Sequence, residues 1–332
     1  MRYRTFPGTE LKVSELGFGV WTVSTEWWGV NDKDVRHRLL RKAYEEHGVN
    51  FFDTSNTYGD GYGETIMDEA LGDVRENIII ATKFGYDLSD NDGRSGHRER
   101  RHDFTAKGIR ESCEASLKRL NTDYIDMYQS HNPRIDAIDN DEVIKTLEDL
   151  RSEGKIRYTG TALGPAIDIR QVEEGLATVR RGYDSVQIIY NLLEQQLGLP
   201  ILEQVEGSNT GILVRVPHSS GLLEGNLTLD TEFPKWDHRS HRPRHWLVEG
   251  LQKIETLNPF LLGGKRTMRQ LALKFLMVSP QLMSAFPNVY DEEQLDEFAA
   301  FCDVPDLTED EQAQLAALYA ENFGVEPTPV AA

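Results

Sequence analysis

Eight short apolar segments, each followed by a stretch of helical periodicity, constrain this chain more than any other feature. They lie at residues 16–20, 50–53, 77–83, 124–130, 156–162, 185–190, 211–217 and 282–287. Helical stretches follow at about 32–47, 64–71, 105–120, 141–153, 166–180, 200–206, 267–278 and 291–301. Apolar strands alternating with amphipathic helices pair in parallel. A count of eight fits a closed α/β barrel of the (β/α)8 type, a TIM barrel, better than an open doubly wound sheet. No G-x-G-x-x-G follows a strand, which argues further against the open sheet. Pro7-Gly8-Thr9-Glu10 between Tyr3–Phe6 and Leu11–Val13 predicts an N-terminal hairpin. Thr308-Glu309-Asp310-Glu311 reads as a capping box that opens an extra C-terminal helix, reaching Tyr319. No segment has linker composition, so residues 1–332 are expected to form a single domain.

Charge narrows the partners. Lys and Arg number 36 against 55 Asp and Glu, a formal net charge of −19. That balance argues against a nucleic-acid backbone or an anionic membrane surface. No apolar run approaches the roughly 20 residues that span a bilayer. The N-terminus carries no apolar leader, so a cytoplasmic location is expected. Cys113 and Cys302 have no metal-type spacing and are expected to be reduced and buried in helices. His238, His241 and His245 lie in the segment Glu224–Gly264 without an H-E-x-x-H spacing, so no metal site is expected. The stretch after the seventh strand reads as long and irregular, and a long loop in a compact domain is often a lid.

Three strand ends carry chemistry. Residues 50–53 end in Asp53, residues 77–83 in Lys83, and residues 124–130 run into His131. Tyr58 follows Asp53 in a loop rich in glycine (Gly59, Gly61, Gly63). Carboxyl ends of barrel strands are where such folds build their sites. A phenol has an unperturbed pKa of roughly 10, and a nearby ammonium favours its ionised form. A carboxylate beside the lysine keeps the lysine charged, and a histidine can orient a carbonyl oxygen toward the phenol. The four residues therefore suit proton transfer to a polarised carbonyl. None of them can donate hydride, so a nicotinamide cofactor is expected.

The residues also carry a resemblance. The chain resembles the aldo-keto reductases in Phe52-Asp53-Thr54-Ser55-Asn56-Thr57-Tyr58-Gly59, Ala81-Thr82-Lys83-Phe84-Gly85 and Tyr128-Gln129-Ser130-His131-Asn132-Pro133. Gly154-Lys155-Ile156-Arg157, Val186-Gln187-Ile188-Ile189-Tyr190-Asn191 and Gly221-Leu222-Leu223-Glu224-Gly225 match as well, in family order. The resemblance implies NAD- or NADP-dependent reduction of aldehydes and ketones or the reverse oxidation. It implies Tyr58 as general acid/base, Lys83 and Asp53 as its tuning pair and His131 as orienter. It also implies cofactor contacts from Gly19, Trp21, Asp53, Thr161, Gln187, Arg215, Pro217, Ser219, Gly221, Asn288 and Gln294.

Two positions depart from the common family pattern. Gly160-Thr161-Ala162-Leu163 replaces a frequent Ser-Asn pair, leaving Gln187 for the nicotinamide carboxamide. Arg215 stands where many members place a tyrosine against the ring, and a guanidinium can also stack. Trp21, Trp27, Trp28 and Phe84 suggest an apolar, aromatic substrate pocket. Residues 284–298, the usual neighbourhood of the adenosine 2′-phosphate, contain no Lys or Arg, which predicts tolerance of NAD(H). Two rivals follow from the same residues: a cofactor-binding regulatory barrel with little turnover, like the potassium-channel β subunits, and a metal-dependent barrel hydrolase. The intact set of four disfavours the first, and the single strand-terminal histidine disfavours the second.

Overall fold

The computed structural model describes residues 1–90 and 99–326. A hairpin comes first, β1 (Tyr3–Thr5) antiparallel to β2 (Lys12–Ser14). The barrel strands are β3 (Phe18–Gly19), β4 (Phe51–Asp53), β5 (Ile79–Phe84), β6 (Ile125–His131), β7 (Ile156–Ala162), β8 (Ser185–Ile189), β9 (Gly211–Arg215) and β10 (Leu282–Phe286). They pair in parallel in chain order. A parallel bridge between Leu16 and Ala285 joins the first strand region to the last. There Gly17 N–H donates to Ala285 O at 2.9 Å and Ala285 N–H to Glu15 O at 3.0 Å, so the ladder closes on itself.

The helices are α1 (Trp21–Ser24), α2 (Lys33–Glu45), α3 (Tyr62–Leu71), α4 (Ala106–Arg119), α5 (Ile135–Ile138), α6 (Asp141–Ser152), α7 (Arg170–Arg180), α8 (Gly198–Val205), α9 (Arg244–Glu255), α10 (Met268–Leu276), α11 (Glu292–Ala299) and α12 (Glu309–Ala320). Local chemistry sets their starts. Asp32, Thr105 and Asp291 accept from the first-turn amides of α2, α4 and α11. Capping boxes open α10 (Thr267, Gln270) and α12 (Thr308, Glu311), each satisfying two amides that the helix leaves unpaired.

Two apolar layers divide the core. Inside the barrel, Phe51, Ala81, Met127, Leu213, Met283 and Phe286 meet Phe6, Leu11 and Val13 of the hairpin, which plugs the end where the strands begin. Outside, the opposite strand faces pack on the helices through residues such as Phe52, Ile80, Phe84, Tyr128 and Val214. Alternate side chains of a strand point to opposite faces, and both faces here are buried. The strand-end positions of β4 to β10 are thereby left at the open mouth. The C-terminal helix is tied down by Arg266, whose buried guanidinium donates to Phe260 O, Pro305 O, Asp306 O and both Glu311 carboxylate oxygens.

Three expectations are corrected. The segment Glu224–Gly264 is not irregular throughout: it contains α9, which follows Pro243 and packs so tightly that a Cβ on Gly250 would lie 2.6 Å from Leu222. The seventh strand stops at Arg215, because Val216 turns into the left-handed region (φ 56°). Cys113 is buried in α4 as expected, but Cys302 is half-buried in a 3-10 turn over Ala300–Asp303 rather than in an α-helix.

Candidate active site

The centre of the mouth is a buried ion pair. Lys83, at the penultimate position of β5, donates from Nζ to Asp53 Oδ1 at 2.6 Å, to Thr54 O at 2.8 Å and to the Tyr58 hydroxyl at 3.3 Å. An ammonium has three protons, and all three are used. The second Asp53 oxygen accepts from Gln129 Nε2 at 3.2 Å and Gln187 Nε2 at 2.8 Å. A carboxylate held by a cation and two amides is fully compensated despite its burial.

Tyr58 reaches this pair because of the turn that carries it. Gly59 (φ 56°) and Gly61 (φ 99°) adopt left-handed backbone, which only glycine takes without penalty. A Cβ on Gly59 would also lie 2.3 Å from Ser24 O. Behind the turn α3 is anchored by the fully buried Glu64, which accepts from Thr82 Oγ1 at 2.5 Å and Arg119 Nε at 2.6 Å.

Electrostatics at the phenol differ from the simplest expectation. Burial pushes the Tyr58 pKa up and Asp53 adds to it, and together they outweigh the downward pull of Lys83 and Arg215. The phenol is therefore protonated at neutral pH. Burial lowers the Lys83 pKa, but Asp53 and Tyr58 more than restore it, so the amine stays charged. His131 sits edge-on to Tyr58, ring centres 6.1 Å apart. Burial, Lys83 and Arg215 hold its pKa well below the usual histidine range, so it is a neutral imidazole.

Arg215 extends from the end of β9 across the mouth. Its Nη2 donates to Leu163 O at 2.7 Å and Pro165 O at 2.9 Å, and its Nε is buried with no partner among the described residues. Gly164 makes room for it, since a Cβ there would stand 2.3 Å from the guanidinium. Trp21 lies beside Tyr58 (6.3 Å) and meets His238 of the long segment edge-on at 5.0 Å. Gly19 pairs with Asp53 in the β3–β4 ladder. Beyond β9, Pro217 is buried, and Ser219, Ser220 and Gly221 form three consecutive left-handed residues. Asn288 is half-buried after β10.

Several expected site residues are placed otherwise. Phe84 faces the helix layer, fully buried against Phe104 and Tyr128, and does not line the mouth. Thr161 also points outward, its hydroxyl 3.0 Å from Thr178 of α7. Trp28 is buried and parallel to both His238 and Tyr290, with Arg239 over its ring, so it joins the long segment to the β10–α11 loop rather than lining a pocket. Strand alternation foretells the first two: Lys83 points inward, so Phe84 cannot, and Thr161 lies between the inward-facing Gly160 and Ala162. Gln187 spends its amide on Asp53, and the Ser219 hydroxyl is taken by Glu194 at 3.1 Å.

Other residues join the site without having been expected there. Gln129 faces the mouth two positions before His131. Tyr86 lies edge-on to His131 at 4.9 Å and is stacked on His102. Glu224 is buried at the end of the 219–224 turn, accepting from the Tyr290 hydroxyl and from Gln294 Nε2 at 3.2 Å. Arg269 of α10 approaches it at 3.9 Å but pairs with Glu297. Gln129 was legible by parity. The Glu224 cluster joins three distant segments and has no local signature.

Comparison with known proteins agrees with this architecture. The family model described as "Aldo/keto reductase family" matches residues 15–320. The chain is a member of the aldo-keto reductase family. It is 31% identical to the uncharacterized oxidoreductase YqkF of Bacillus subtilis, over 94% of either chain. It is 27% identical to the NADH-specific methylglyoxal reductase of Escherichia coli, over 88% of this chain and 90% of that one. Among solved structures, the glycerol dehydrogenase AKR11B4 of Gluconobacter oxydans superposes with a TM-score of 0.82 at 25% identity, covering 99% of both chains. Membership brings the reductase class, oxidoreduction of carbonyls and alcohols. Among the described residues no helix is long and apolar enough to cross a membrane.

Proposed function

We propose that this protein interconverts small carbonyl compounds and alcohols with a nicotinamide dinucleotide, and that Tyr58 transfers the proton. The observation that carries the reading is the single Lys83 ammonium bonded at once to buried Asp53 and to the Tyr58 hydroxyl at the open mouth. In the reducing direction the carbonyl carbon gains hydride and the oxygen gains a proton. Tyr58 gives that proton from its hydroxyl, which burial keeps protonated. Lys83 stabilises the phenolate left behind, and Asp53 keeps Lys83 charged. His131, neutral, donates a hydrogen bond that holds the substrate oxygen toward Tyr58. Trp21 packs beside Tyr58, ring centres 6.3 Å apart.

The residues at the mouth fit a dinucleotide. The orphaned Nε of Arg215 marks a cation short of one partner. The left-handed turn over Ser219–Gly221 is a cradle that side chains would fill, since a Cβ on Gly221 would stand 2.8 Å from Arg239. Arg215, Gln187 through its carbonyl oxygen, the backbone of 219–221, Asn288 and Gln294 would hold the cofactor, which supplies hydride when bound. Gln294 acts there through the Glu224 cluster.

The same cluster supports tolerance of NAD(H). Burial raises the Glu224 pKa above the ordinary carboxylate range, and Tyr290, Arg269, Arg239 and Gln294 oppose this only in part. A 2′-phosphate of about −2 charge beside that carboxylate meets repulsion. Two nearby cations are already paired with carboxylates, Arg269 with Glu297 and Arg239 with Asp237 at 2.7 and 2.9 Å; Arg242 donates to the Ser220 hydroxyl and Arg244 to Thr231 O. The Escherichia coli relative described as NADH-specific is in keeping with this.

The test of the main reading is Tyr58→Phe. General acid catalysis contributes roughly 10²–10⁴-fold, so aldehyde-dependent oxidation of NADH or NADPH falls by that factor. Dinucleotide affinity stays at the wild-type value, because the phenol hydroxyl meets Lys83 and the substrate oxygen and is not among the groups that would hold the cofactor. A variant with wild-type kcat sinks the assignment.

A further inference from the structure

We propose that Ser55 is a positioning residue that sets the tautomer of His131, so that the ring presents Nε2–H to the substrate oxygen. The proposal rests on the oxidoreductase reading above and concerns the same site. Ser55 is fully buried between Asp53 and Tyr58 in the chain. Its Oγ lies 3.2 Å from His131 Nδ1, 2.9 Å from Thr57 Oγ1 and 3.3 Å from Asn56 Oδ1, and it accepts from Thr57 N–H at 3.2 Å.

A serine hydroxyl has one proton and two lone pairs. The Thr57 amide takes one lone pair. The second bond is to the Thr57 hydroxyl, at the shortest of these distances; either oxygen can donate there, and we assign Thr57 as the donor. Ser55 then has only its proton left to offer. Of the two acceptors in reach, His131 Nδ1 at 3.2 Å is nearer than Asn56 Oδ1 at 3.3 Å, whose amide nitrogen donates to Ser112 Oγ at 3.1 Å. A neutral imidazole carries one N–H and one bare nitrogen, and the hydrogen bond at one nitrogen decides the state of the other. A donor on Nδ1 leaves the proton on Nε2.

The opposite arrangement fails chemically. With Nδ1–H donating to Ser55, a bare Nε2 would face a carbonyl oxygen, lone pair against lone pair. Tyr58 and Tyr86 flank the ring edge-on, at 6.1 and 4.9 Å between ring centres. Nor does the ring take a second proton, since burial first, and then the Lys83 and Arg215 charges, hold its pKa well below the usual histidine range.

The experiment is nitrogen-15 NMR of the full chain with ring-labelled histidine. The chain has nine histidines, and His131→Gln identifies the resonances that belong to His131. The wild type is expected to show a proton-bearing Nε2 and a hydrogen-bonded, unprotonated Nδ1. In Ser55→Ala the Nδ1 resonance moves to the position of a nitrogen without a donor. Its kcat for aldehyde reduction falls about tenfold, the value of one hydrogen bond of roughly 1.4 kcal/mol, with unchanged dinucleotide affinity. A residue that only packed would lower the melting temperature and leave Nδ1 where it was. A protonated Nδ1 in the wild type, an Nδ1 resonance that stays put in Ser55→Ala, or wild-type kcat in that variant overturns the proposal. The NMR result does not need turnover, so it stands apart from the oxidoreductase reading.

Discussion

Replacing Lys83 by methionine separates two jobs of one side chain. The ammonium compensates Asp53 and tunes Tyr58, and methionine keeps the aliphatic stem while removing three hydrogen bonds. Asp53 is left buried with the amides of Gln129 and Gln187 as donors but no cation. Breaking a buried ion pair from one side costs about 3–5 kcal/mol. Unfolding entropy of roughly 2.1 cal/mol/K per residue gives about 0.7 kcal/mol/K for the 332-residue chain, so Tm drops by roughly 4–7 °C. Turnover falls by roughly 10²–10⁴-fold, because the phenolate formed after proton transfer loses its counter-charge. The double variant Asp53→Asn with Lys83→Met removes the stranded carboxylate. Differential scanning fluorimetry should show its Tm recovering most of the loss, while steady-state kinetics show kcat still low. If Lys83→Met keeps kcat within threefold of wild type, or if its Tm is unchanged, the buried pair is not what organises this site.

Three further outcomes are expected. The ratio of kcat/KM for NADPH over NADH, measured at one ionic strength with one aldehyde, stays below about 100-fold, near 2.7 kcal/mol, and Glu224→Gln moves it toward NADPH; a wild-type ratio above that value means an uncommitted cation meets the 2′-phosphate. Saturating dinucleotide slows tryptic cleavage within Glu224–Gly264, whose His238 and Arg239 reach Trp21 and Trp28 across the mouth, and equal cleavage with and without it removes the lid role. His218 is buried and neutral, its pKa pushed down to about 4 by burial; the unfolded chain protonates first on acidification, so stability present above about pH 6.5 is lost toward pH 4, by roughly 3 kcal/mol at most. Urea denaturation from pH 7 to 4 should show a steeper loss in wild type than in His218→Phe.

Much of the barrel was legible locally. Strand and helix alternation depends on periodicities of two and 3.6 residues and on caps such as Asp32, Thr267 and Thr308, which act within a few positions of themselves. Asp53, Tyr58, Lys83 and His131 could be picked out because strand ends of a barrel all open on one face. The turn chemistry of Gly59 and Gly61 pointed the same way. Parity along β5 and β7 would have turned Phe84 and Thr161 outward.

Side-chain pairing across the mouth was decided only by the fold. Gln187 meets Asp53 across 134 positions of sequence, and Glu224 meets Gln294 across 70. Which polar groups neutralise one another depends on distances between separate strands, and no periodicity along one chain encodes those. The sign of the Tyr58 shift belongs to the same class. An ammonium nearby suggests a lowered pKa, but the net direction is a balance of burial against charge, and burial is a property of the closed barrel alone. The chain by itself marked Asp53, Tyr58, Lys83 and His131 as strand-end candidates; the tertiary structure decided which other groups gather with them and which are still free to meet a ligand.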